Sequence, residues 1–511
     1  MTDSTKEWPE FVQGLNKYYT VHTRGWKTTA GYKLFLADFS EWKLRFSNPT
    51  PIIWVNAEAA ELRPAELLES LQDVAREQGW RHGECIVLLD REEQGLKSLA
   101  ANRYLPRFVI IDSNDQHDIL EASSFTNDLL DLICDQVPIS DLAPYEISKP
   151  VTGTRFFGRS SDIQKVIMKS DTNFAVIGPK RIGKTSLLRE INRRLKEQTE
   201  KGLTAAEGPY VFLDCSLIKT PYTFLETLVQ KLWPKEISRL HKRTPEVFFI
   251  RFIERMHKVF KSPITIFLDE VDRWFAPANR NQIVLDMFRV SSESEDCRYI
   301  VAGFTNLMKE TQIGGSTFFK KMFEYIELGP FTKKDLTDLV LTPMTQLRIQ
   351  IKQQDEVVER IYKETGGIPQ LAQYYCLDLI DQLDSQETHQ VTPDNLSGIQ
   401  KKTEFKNLVL GSFQSGIDAE DRCLVYALLT TIPVERDAES FTQQEMSNAL
   451  NKCGLSFSPE KIDQICDRLS LCGIMTNEND KYRFSIPFFP RVLRMSGLDY
   501  LFSEAKKEMV Q

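Results

Sequence analysis

Residues 173–186 read NFAVIGPKRIGKTS, an apolar run that leads through a glycine-rich turn into a helix-forming segment. The turn fits the pattern G-x-x-x-x-G-K-[ST], with Gly178, Gly183, Lys184 and Thr185 at the defined positions. Glycines let backbone N–H groups turn inward around phosphate oxygens, and the N-terminus of the following helix adds a favourable dipole. A turn that binds nothing is the alternative, but the strand and helix on either side favour phosphate binding. We expect a nucleotide to be contacted by Gly178, Pro179, Lys180, Arg181, Ile182, Gly183, Lys184, Thr185 and Ser186.

A second apolar run, ITIFLDE at 264–270, ends in two carboxylates. Such a strand is buried on both faces of a parallel sheet and places Asp269 at its carboxyl end, beside the glycine-rich turn. We expect Thr185 and Asp269 to hold Mg²⁺. Lys184 is expected to contact the β- and γ-phosphates of ATP, and Glu270 to orient the attacking water. A surface turn can also end in Asp-Glu, but the glycine-rich turn upstream favours the catalytic interpretation.

Five β-type runs alternate with helical patterns between Phe156 and Phe331, which predicts an α/β fold with a parallel-sheet core of the P-loop NTPase type. These runs are Asn173–Gly178, Tyr210–Asp214, Ile264–Asp269, Arg298–Phe304 and Tyr325–Leu328. In the P-loop class with an extra strand between the P-loop strand and the acidic strand, a polar residue after that strand lies near the γ-phosphate. Thr305 or Asn306 is the candidate, and a simple strand-terminating turn is the alternative.

The sequence around this core predicts four further segments. Before residue 137, β-type runs at Ile52–Val55, Cys85–Asp90 and Arg107–Asp112 alternate with helical patterns, which suggests a short parallel sheet. A stretch rich in Pro, Ser, Thr and Gly follows. The last part of the chain has three helical stretches and then a hairpin, the order of a winged helix. The predicted parts are a small α/β accessory domain, sensor or effector, at 1–137, a linker at 138–154, the ATPase core at 155–332, a helical lid at 333–410 and a winged helix at 411–511.

Composition narrows the class of protein. No apolar run is long enough to span a bilayer, and the N-terminus lacks the pattern of a secretory signal, so we expect a cytoplasmic protein without a membrane partner. The 9 scattered cysteines and 6 isolated histidines offer no zinc-ligand spacing. The formal charge of −8 argues against a protein that coats nucleic acid nonspecifically.

Four motifs together resemble the STAND branch of AAA-like ATPases, particularly its archaeal and bacterial members. They are FFGR at 156–159, GPKRIGKTSLL at 178–188, FLDEVD at 267–272 and GGIPQLAQ at 366–373. The resemblance implies that the segment at Arg159 packs near the adenine, that Pro369 in the lid contacts the nucleotide, and that a winged helix follows. It also implies a switch in which ADP keeps the protein closed, while exchange for ATP permits self-association and activation of an effector.

The lid sequence discriminates between related ATPases. Origin-recognition and helicase-loader ATPases usually carry an arginine in the lid helix that contacts the γ-phosphate, and GGIPQLAQYYC at 366–376 contains none. This favours a nucleotide switch over a rapid motor. The resemblance implies a slow or trigger-dependent ATPase in prokaryotic signalling or in defence against mobile elements. No arginine finger is assigned, because Lys320 and Lys321 before the fifth strand cannot provide a guanidinium group.

The alternative from another class is a DNA-binding AAA+ ATPase of the origin-recognition or transposition-regulator type. Lys461, Arg468, Lys481 and Arg483 would then contact DNA from the third helix and the wing. Residues 418–511 contain fifteen acidic and eleven basic side chains, however, and such a surface repels duplex DNA. A contact within the protein or with another protein is therefore favoured. A nucleotide-dependent scaffold that hardly hydrolyses ATP is a third possibility, which Glu270 disfavours.

Two patterns in the N-terminal region resemble catalytic sites and are common by chance. Asp90 and Asp112 each end a predicted strand, as acidic residues do in phosphoacceptor domains. Glu41 and Lys43 have the E-x-K spacing of a nuclease metal site. Ordinary surface carboxylates are the preferred interpretation, and the trigger, the target and the oligomer size cannot be derived from the sequence.

Overall fold

The computed structural model of the chain describes residues 8–23, 31–46, 49–55, 61–80, 84–100, 107–200, 209–240, 244–275, 282–309, 321–437 and 439–510. The chain divides into two compact units. The first comprises Met1–Tyr145, Val340–Gln353 and Cys376–Asn395, and the second comprises Glu146–Leu339, Gln354–Tyr375 and Leu396–Gln511. No helix in the described part of the chain combines the length and apolar character that a membrane span needs.

The first unit contains a five-stranded sheet in the order β1-β2-β3-β4-β5. The strands are β1 (Thr20–Thr23), β2 (Tyr32–Asp38), β3 (Thr50–Val55), β4 (Glu84–Leu89) and β5 (Arg107–Ile111). The strands β3, β4 and β5 are parallel, as the sequence predicted for this region, whereas β1 and β2 add an antiparallel edge. The helices of this part are Glu10–Leu15, Pro64–Glu77, Gln94–Ala100, Ser113–Glu121, Phe125–Gln136 and Ile139–Leu142.

Side-chain burial accounts for the parallel arrangement of the central strands of this sheet. Every residue of β4, ECIVLL, is buried, which is the pattern of a parallel strand covered on both faces. The helix Pro64–Glu77 packs Leu67, Leu71 and Val74 against that core, at the spacing of one helix face.

The second unit contains a five-stranded, entirely parallel sheet in the order β10-β6-β9-β8-β7. Its strands are β6 (Asn173–Ile177), β7 (Tyr210–Asp214), β8 (Ile264–Asp269), β9 (Cys297–Gly303) and β10 (Phe323–Glu327). The strand β9 lies between β6 and β8, as expected for the P-loop class with an extra strand. The carboxyl ends of β6, β8 and β9 therefore meet at one edge, which is where ligands bind in sheets of this kind.

Helices flank this sheet and continue beyond it. In chain order they are Ser160–Met168, Lys184–Glu200, Pro221–Leu232, Ile237–Leu240, Pro245–Phe260, Asp272–Phe275, Gln282–Glu293, Thr305–Met308, Gln354–Thr365 and Thr403–Gly416. Two more helices, Lys333–Gln346 and Pro369–Gln386, contain residues of both units. The helix Lys184–Glu200 packs Leu187, Leu188 and Ile191 into the core around β6.

Residues 418–510, here called the C-terminal segment, follow the predicted order of three helices and a hairpin. The helices are Ala419–Thr431, Gln443–Lys452 and Pro459–Leu471, and the hairpin is formed by β13 (Met475–Glu478) and β14 (Lys481–Phe484). A bridge between Phe441 and Tyr482 adds a third extended stretch. Two helices that the sequence analysis did not predict, Phe489–Met495 and Leu498–Val510, end the segment. The last of them packs on Ala419–Thr431.

The region predicted as a linker, 138–154, is partly structured. It contains the helix Ile139–Leu142 and a 3-10 turn at Gly153–Arg155, and Tyr145 is buried. The region predicted as a lid, 333–410, contributes residues to both units, including the short parallel pair β11 (Gln350–Ile351) and β12 (Gln390–Val391) in the first. Proline and polar composition alone does not distinguish a flexible linker from a segment held by buried aromatic and aliphatic side chains.

Candidate functional site

The glycine-rich turn connects β6 directly to the helix Lys184–Glu200. A Cβ atom on Gly178 would lie 2.7 Å from the carbonyl oxygen of Leu328, so no larger residue fits there. Gly183 has a φ of 105°, a conformation that glycine adopts without strain, and a Cβ on it would meet nothing within 4 Å. The turn is therefore an open cradle in front of a helix N-terminus, the geometry that binds phosphate.

Lys184 is buried at the first position of that helix. Its Nζ donates hydrogen bonds to the carbonyl oxygens of Gly178 at 2.8 Å and Pro179 at 2.9 Å. Burial lowers the pKa of Lys184, while the charges of Glu270, Asp272 and Asp269 oppose that shift. The ammonium group is thus held by the turn itself, among three carboxylates.

The Thr185 hydroxyl and Asp269 meet across the edge of the sheet. Thr185 Oγ1 donates a hydrogen bond to Asp269 Oδ2 at 2.6 Å. Asp269 is buried at the end of β8, and burial raises its pKa while the bond from Thr185 opposes the shift. Hydroxyl and carboxylate oxygens are ligands that Mg²⁺ prefers. The three carboxylates near Lys184 outweigh its single positive charge, and a cation would neutralise the remaining negative charge. These residues therefore fit a magnesium ion.

Glu270 follows in a left-handed backbone conformation, with a φ of 57°. This conformation is uncommon for a residue with a side chain, and such strain gathers at functional sites. The half-buried Glu270 lines two cavities, and Lys184 lines both of them as well.

The first of these cavities has a volume of about 550 Å³, and all of its lining residues belong to the second unit. Its lining includes the turn residues Arg181 to Ser186 together with Phe156, Arg159 and Pro369. A cavity of this size, lined by cationic, aromatic and aliphatic groups, fits a nucleotide.

Comparison with known proteins agrees with this geometry. Residues 156–374 match a family described as an ATPase domain predominantly from Archaea. A Walker-type ATPase of Pyrococcus abyssi superposes with a TM-score of 0.50 at 14% identity, covering 69% of this chain and 99% of that one. The chain carries a P-loop ATPase fold.

The ORC2 protein of Aeropyrum pernix, solved as ADPNP–ADP complexes, superposes with a TM-score of 0.46 at 12% identity, covering 68% of this chain and 92% of that one. A search of the curated proteins gave no significant match.

The other residues of the turn that were predicted to contact the nucleotide differ in their surroundings. Pro179 and Lys180 border a small apolar cavity together with Cys472 and Ile474 of the C-terminal segment. The guanidinium group of Arg181, whose φ is 68°, lies against Gly411. Ile182 is buried beneath the turn.

Arg159 and Ser186 make contacts within the protein as well as bordering the first cavity. The guanidinium group of Arg159 donates to the carbonyl oxygen of Gly329 and lies 5.1 Å from the centre of the Phe331 ring. Ser186 Oγ accepts a hydrogen bond from the backbone N–H of Val151 at 3.1 Å. Both residues therefore tie chain segments to the rim of the cavity.

Thr305 and Asn306 follow β9 and border the second cavity. Their position is set by Asp272, a residue that the sequence analysis did not single out. The Asp272 carboxylate accepts hydrogen bonds from the backbone N–H groups of Phe304 at 2.6 Å, Asn306 at 3.0 Å and Leu307 at 3.2 Å. The sequence signal for this role was the third acidic residue of FLDEVD, Asp272. Its hydrogen-bond partners follow β9, so they could be identified only after the structure showed that β8 and β9 are neighbours.

The second cavity, of about 380 Å³, contains a feature that the sequence did not predict. Asp418, Arg422 and Glu508 of the C-terminal segment border it together with Lys184, Glu270 and Asn306. The C-terminal segment therefore reaches the cavity at Lys184 and Glu270 through its own charged side chains.

The basic residues considered for DNA contact are mostly engaged within the C-terminal segment. Arg468 is 3% exposed and donates to both carboxylate oxygens of Asp421, at 2.8 and 2.5 Å, so its guanidinium group does not face outward as a DNA contact would require. Lys461 pairs with Glu420 and Arg483 with Glu478. Lys481 is exposed.

The remaining residues that the sequence analysis considered have other surroundings. Asp90 accepts a hydrogen bond from Trp54 Nε1, and Asp112 caps the helix Ser113–Glu121 while pairing with Lys97. Trp42, between Glu41 and Lys43, is buried against Phe39. Among the described residues, no group of three or more His, Cys, Asp or Glu side chains is arranged to hold a metal ion. Lys321 is exposed, and Lys320 lies outside the described residues.

Proposed function

We propose that the chain is a regulatory ATPase of the STAND type, which binds ATP and ADP and hydrolyses ATP slowly or only after a trigger. The observation that carries this proposal is the Thr185–Asp269 contact beside buried Lys184, at the carboxyl edge of a parallel sheet. Mg²⁺ bound by these two oxygens would supply charge neutralisation to the phosphate chain.

Each predicted site residue has a role in this proposal. Residues 178–186 hold the phosphates through backbone N–H groups, and Lys184 turns its ammonium group from carbonyl oxygens to phosphate oxygens. Glu270 accepts a hydrogen bond from the attacking water and so orients it, while Thr305 and Asn306 sense the γ-phosphate. Arg159 and Pro369 border the end of the cavity that takes the adenine.

The regulatory part of the proposal rests on the C-terminal segment, which we interpret as a winged helix. Its residues Cys472, Ile474 and Ile486 pack beside Pro179, and its charged side chains border the second cavity. A segment that borders two cavities next to the phosphate-binding turn restricts access to it, so bound ADP would favour the closed arrangement. Opening after exchange for ATP would permit self-association and contact with an effector or trigger protein.

The accessory role is assigned to residues 1–137, and the proposed place of action is the cytoplasm. The proposed division keeps the linker at 138–154, the core at 155–332, the lid at 333–410 and the winged helix at 411–511. Light scattering on protein saturated with ADP and with a non-hydrolysable ATP analogue tests the switch. A larger mass with the analogue supports it, and one unchanged mass across nucleotides and candidate triggers contradicts it.

A DNA-binding AAA+ ATPase is the second candidate, favoured by the exposed Lys481 at the tip of the hairpin. The internal pairing of Arg468, Lys461 and Arg483 weighs against it. Filter binding at low salt compares wild type with a Lys481→Glu/Arg483→Glu variant. Tight binding that the variant loses, together with turnover stimulated by duplex DNA, would favour this second candidate over the switch.

A further inference from the structure

The second cavity brings an arginine to the side of the ATPase site where the γ-phosphate is expected. Arg422 lies on the helix Ala419–Thr431 and borders the cavity together with Lys184 and Glu270. The lid helix Pro369–Gln386 contains no arginine, so it cannot supply this group.

The hydrogen bonding of Arg422 is incomplete. The residue is 9% exposed, and its buried Nε has no hydrogen-bond partner among the described residues. Its Nη2 donates to Glu508 Oε2 at 2.5 Å. A buried guanidinium N–H without an acceptor is unfavourable, so the group has capacity for an additional anionic oxygen.

The present partner of Arg422 is easily exchanged. The Glu508 side chain is 60% exposed, whereas the Arg422 side chain is 11% exposed. An ion pair whose carboxylate faces water contributes little, because water solvates the carboxylate almost as well. A phosphate oxygen inside the cavity would bind the same guanidinium group in a less hydrated place, where a charge-assisted hydrogen bond is stronger.

The acidic side chains of the C-terminal segment favour this exchange when a γ-phosphate is present. Asp418 and Glu508 are acidic residues of the C-terminal segment that border the cavity, and Asp418 pairs with Lys309 at 3.3 Å. An added phosphate would be repelled by both carboxylates unless a cation lies between them and it. Arg422 is the cation of the C-terminal segment that borders this cavity.

We propose that Arg422 distinguishes ATP from ADP, by exchanging Glu508 for an oxygen of the γ-phosphate. This inference rests on the proposed nucleotide binding and deepens it. The exchange releases the end of the helix Leu498–Val510 from its charge contact with Ala419–Thr431, so the identity of the nucleotide is communicated to the last helix of the C-terminal segment. Arg422 is in this view a specificity-determining residue, supplied by the same chain that binds the nucleotide.

Isothermal titration of the full-length protein with ADP and with the β,γ-imido analogue of ATP tests the proposal. Arg422→Ala should weaken binding of the analogue by about tenfold or more and leave ADP binding within about twofold of wild type. Glu508→Gln should act in the opposite direction, strengthening analogue binding by about twofold or more, because it removes a competitor and a repelling charge. Arg422→Lys, which keeps the charge, should retain part of the preference for the analogue.

The matched control is Arg436→Ala, an arginine of the same segment that pairs with Glu439 and Glu445 away from the cavity. It should change neither affinity. Equal weakening of both nucleotides by Arg422→Ala, or no change from either cavity variant, overturns the role of Arg422 while leaving the proposed function intact. Wild-type protein that binds neither nucleotide overturns the proposed function and this inference with it.

Discussion

Thr185 Oγ1 lies 2.6 Å from Asp269 Oδ2, although the two residues are 84 positions apart and belong to a helix and a strand. The strand β9 lies between β6, which precedes the turn, and β8, which ends at Asp269. The contact therefore depends on the order of the parallel strands as well as on the two motifs. It defines the place where a divalent cation would be held.

Removal of the Thr185 hydroxyl should weaken the binding of magnesium that accompanies ATP binding. A lost ligand costs at least as much as a lost outer-shell partner, so Thr185→Ala should raise the Mg²⁺ concentration for half-maximal binding by about tenfold. Titration of Mg²⁺ into chelator-treated protein with ATP measures this value. Thr199→Ala, a substitution on the same helix at the end far from the turn, is the control and should leave it unchanged.

Glu270→Gln should separate binding from hydrolysis. The amide keeps the size of the side chain but is a poor acceptor for a water proton, so turnover should fall by at least about 100-fold. Affinity for ATP should stay near that of wild type, since Glu270 is not part of the phosphate-binding turn. Single-turnover hydrolysis measured beside equilibrium binding checks both values, and normal hydrolysis by this variant would refute the role assigned to Glu270.

Asp272→Ala should affect both stability and hydrolysis. The substitution leaves three backbone N–H groups without acceptors, at a cost of about 2 kcal/mol or more. The displaced Thr305 and Asn306 should then slow turnover more than they weaken binding. Urea unfolding and turnover measured together test this, with Asp286→Ala as the control, because the half-exposed Asp286 accepts a surface hydrogen bond from Gln282 and pairs with Arg289 at 3.9 Å. Unchanged turnover in Asp272→Ala would show that this loop is not needed for hydrolysis.

The buried pair of Asp421 and Arg468 should be essential to the C-terminal segment. Arg468→Met leaves an unpaired buried carboxylate and should lower the free energy of unfolding by about 3–5 kcal/mol. The double variant Asp421→Leu/Arg468→Met should recover much of that loss, since it removes both charges. Arg483→Met, which breaks an exposed pair, should cost less than about 1 kcal/mol. Equal losses in the single and double variants would contradict this account of the pair.

The sequence predicted those parts of the site that a local pattern determines. The apolar run before Gly178 and the apolar run before Asp269 are each buried on both faces, so their strands and the ends of those strands could be located. The extra parallel strand β9 followed from the alternation of strands and helices. Strand pairing in the first unit was predicted only for β3, β4 and β5, because β1 and β2 depend on antiparallel partners that a short run does not reveal.

The contacts that the sequence missed are formed between distant segments. Asp272 looks like an ordinary surface carboxylate until β9 brings three N–H groups to it. Arg468 occupies a helix position that a DNA-binding residue could have, yet Asp421, 47 residues earlier, holds it in the interior. Arg422 is similarly inconspicuous in the sequence, because only the packing of the C-terminal segment places it on the cavity that Lys184 also borders.

The nucleotide content of the purified protein tests the central claim most directly. Protein prepared without added nucleotide is denatured, and the released nucleotides are identified and quantified by chromatography, with Lys184→Ala as the matched control. The account predicts near-stoichiometric ADP in wild type and little in the variant, since the turn and Lys184 hold the phosphates of a closed switch. An empty wild-type site that neither ADP nor ATP fills on titration would contradict it.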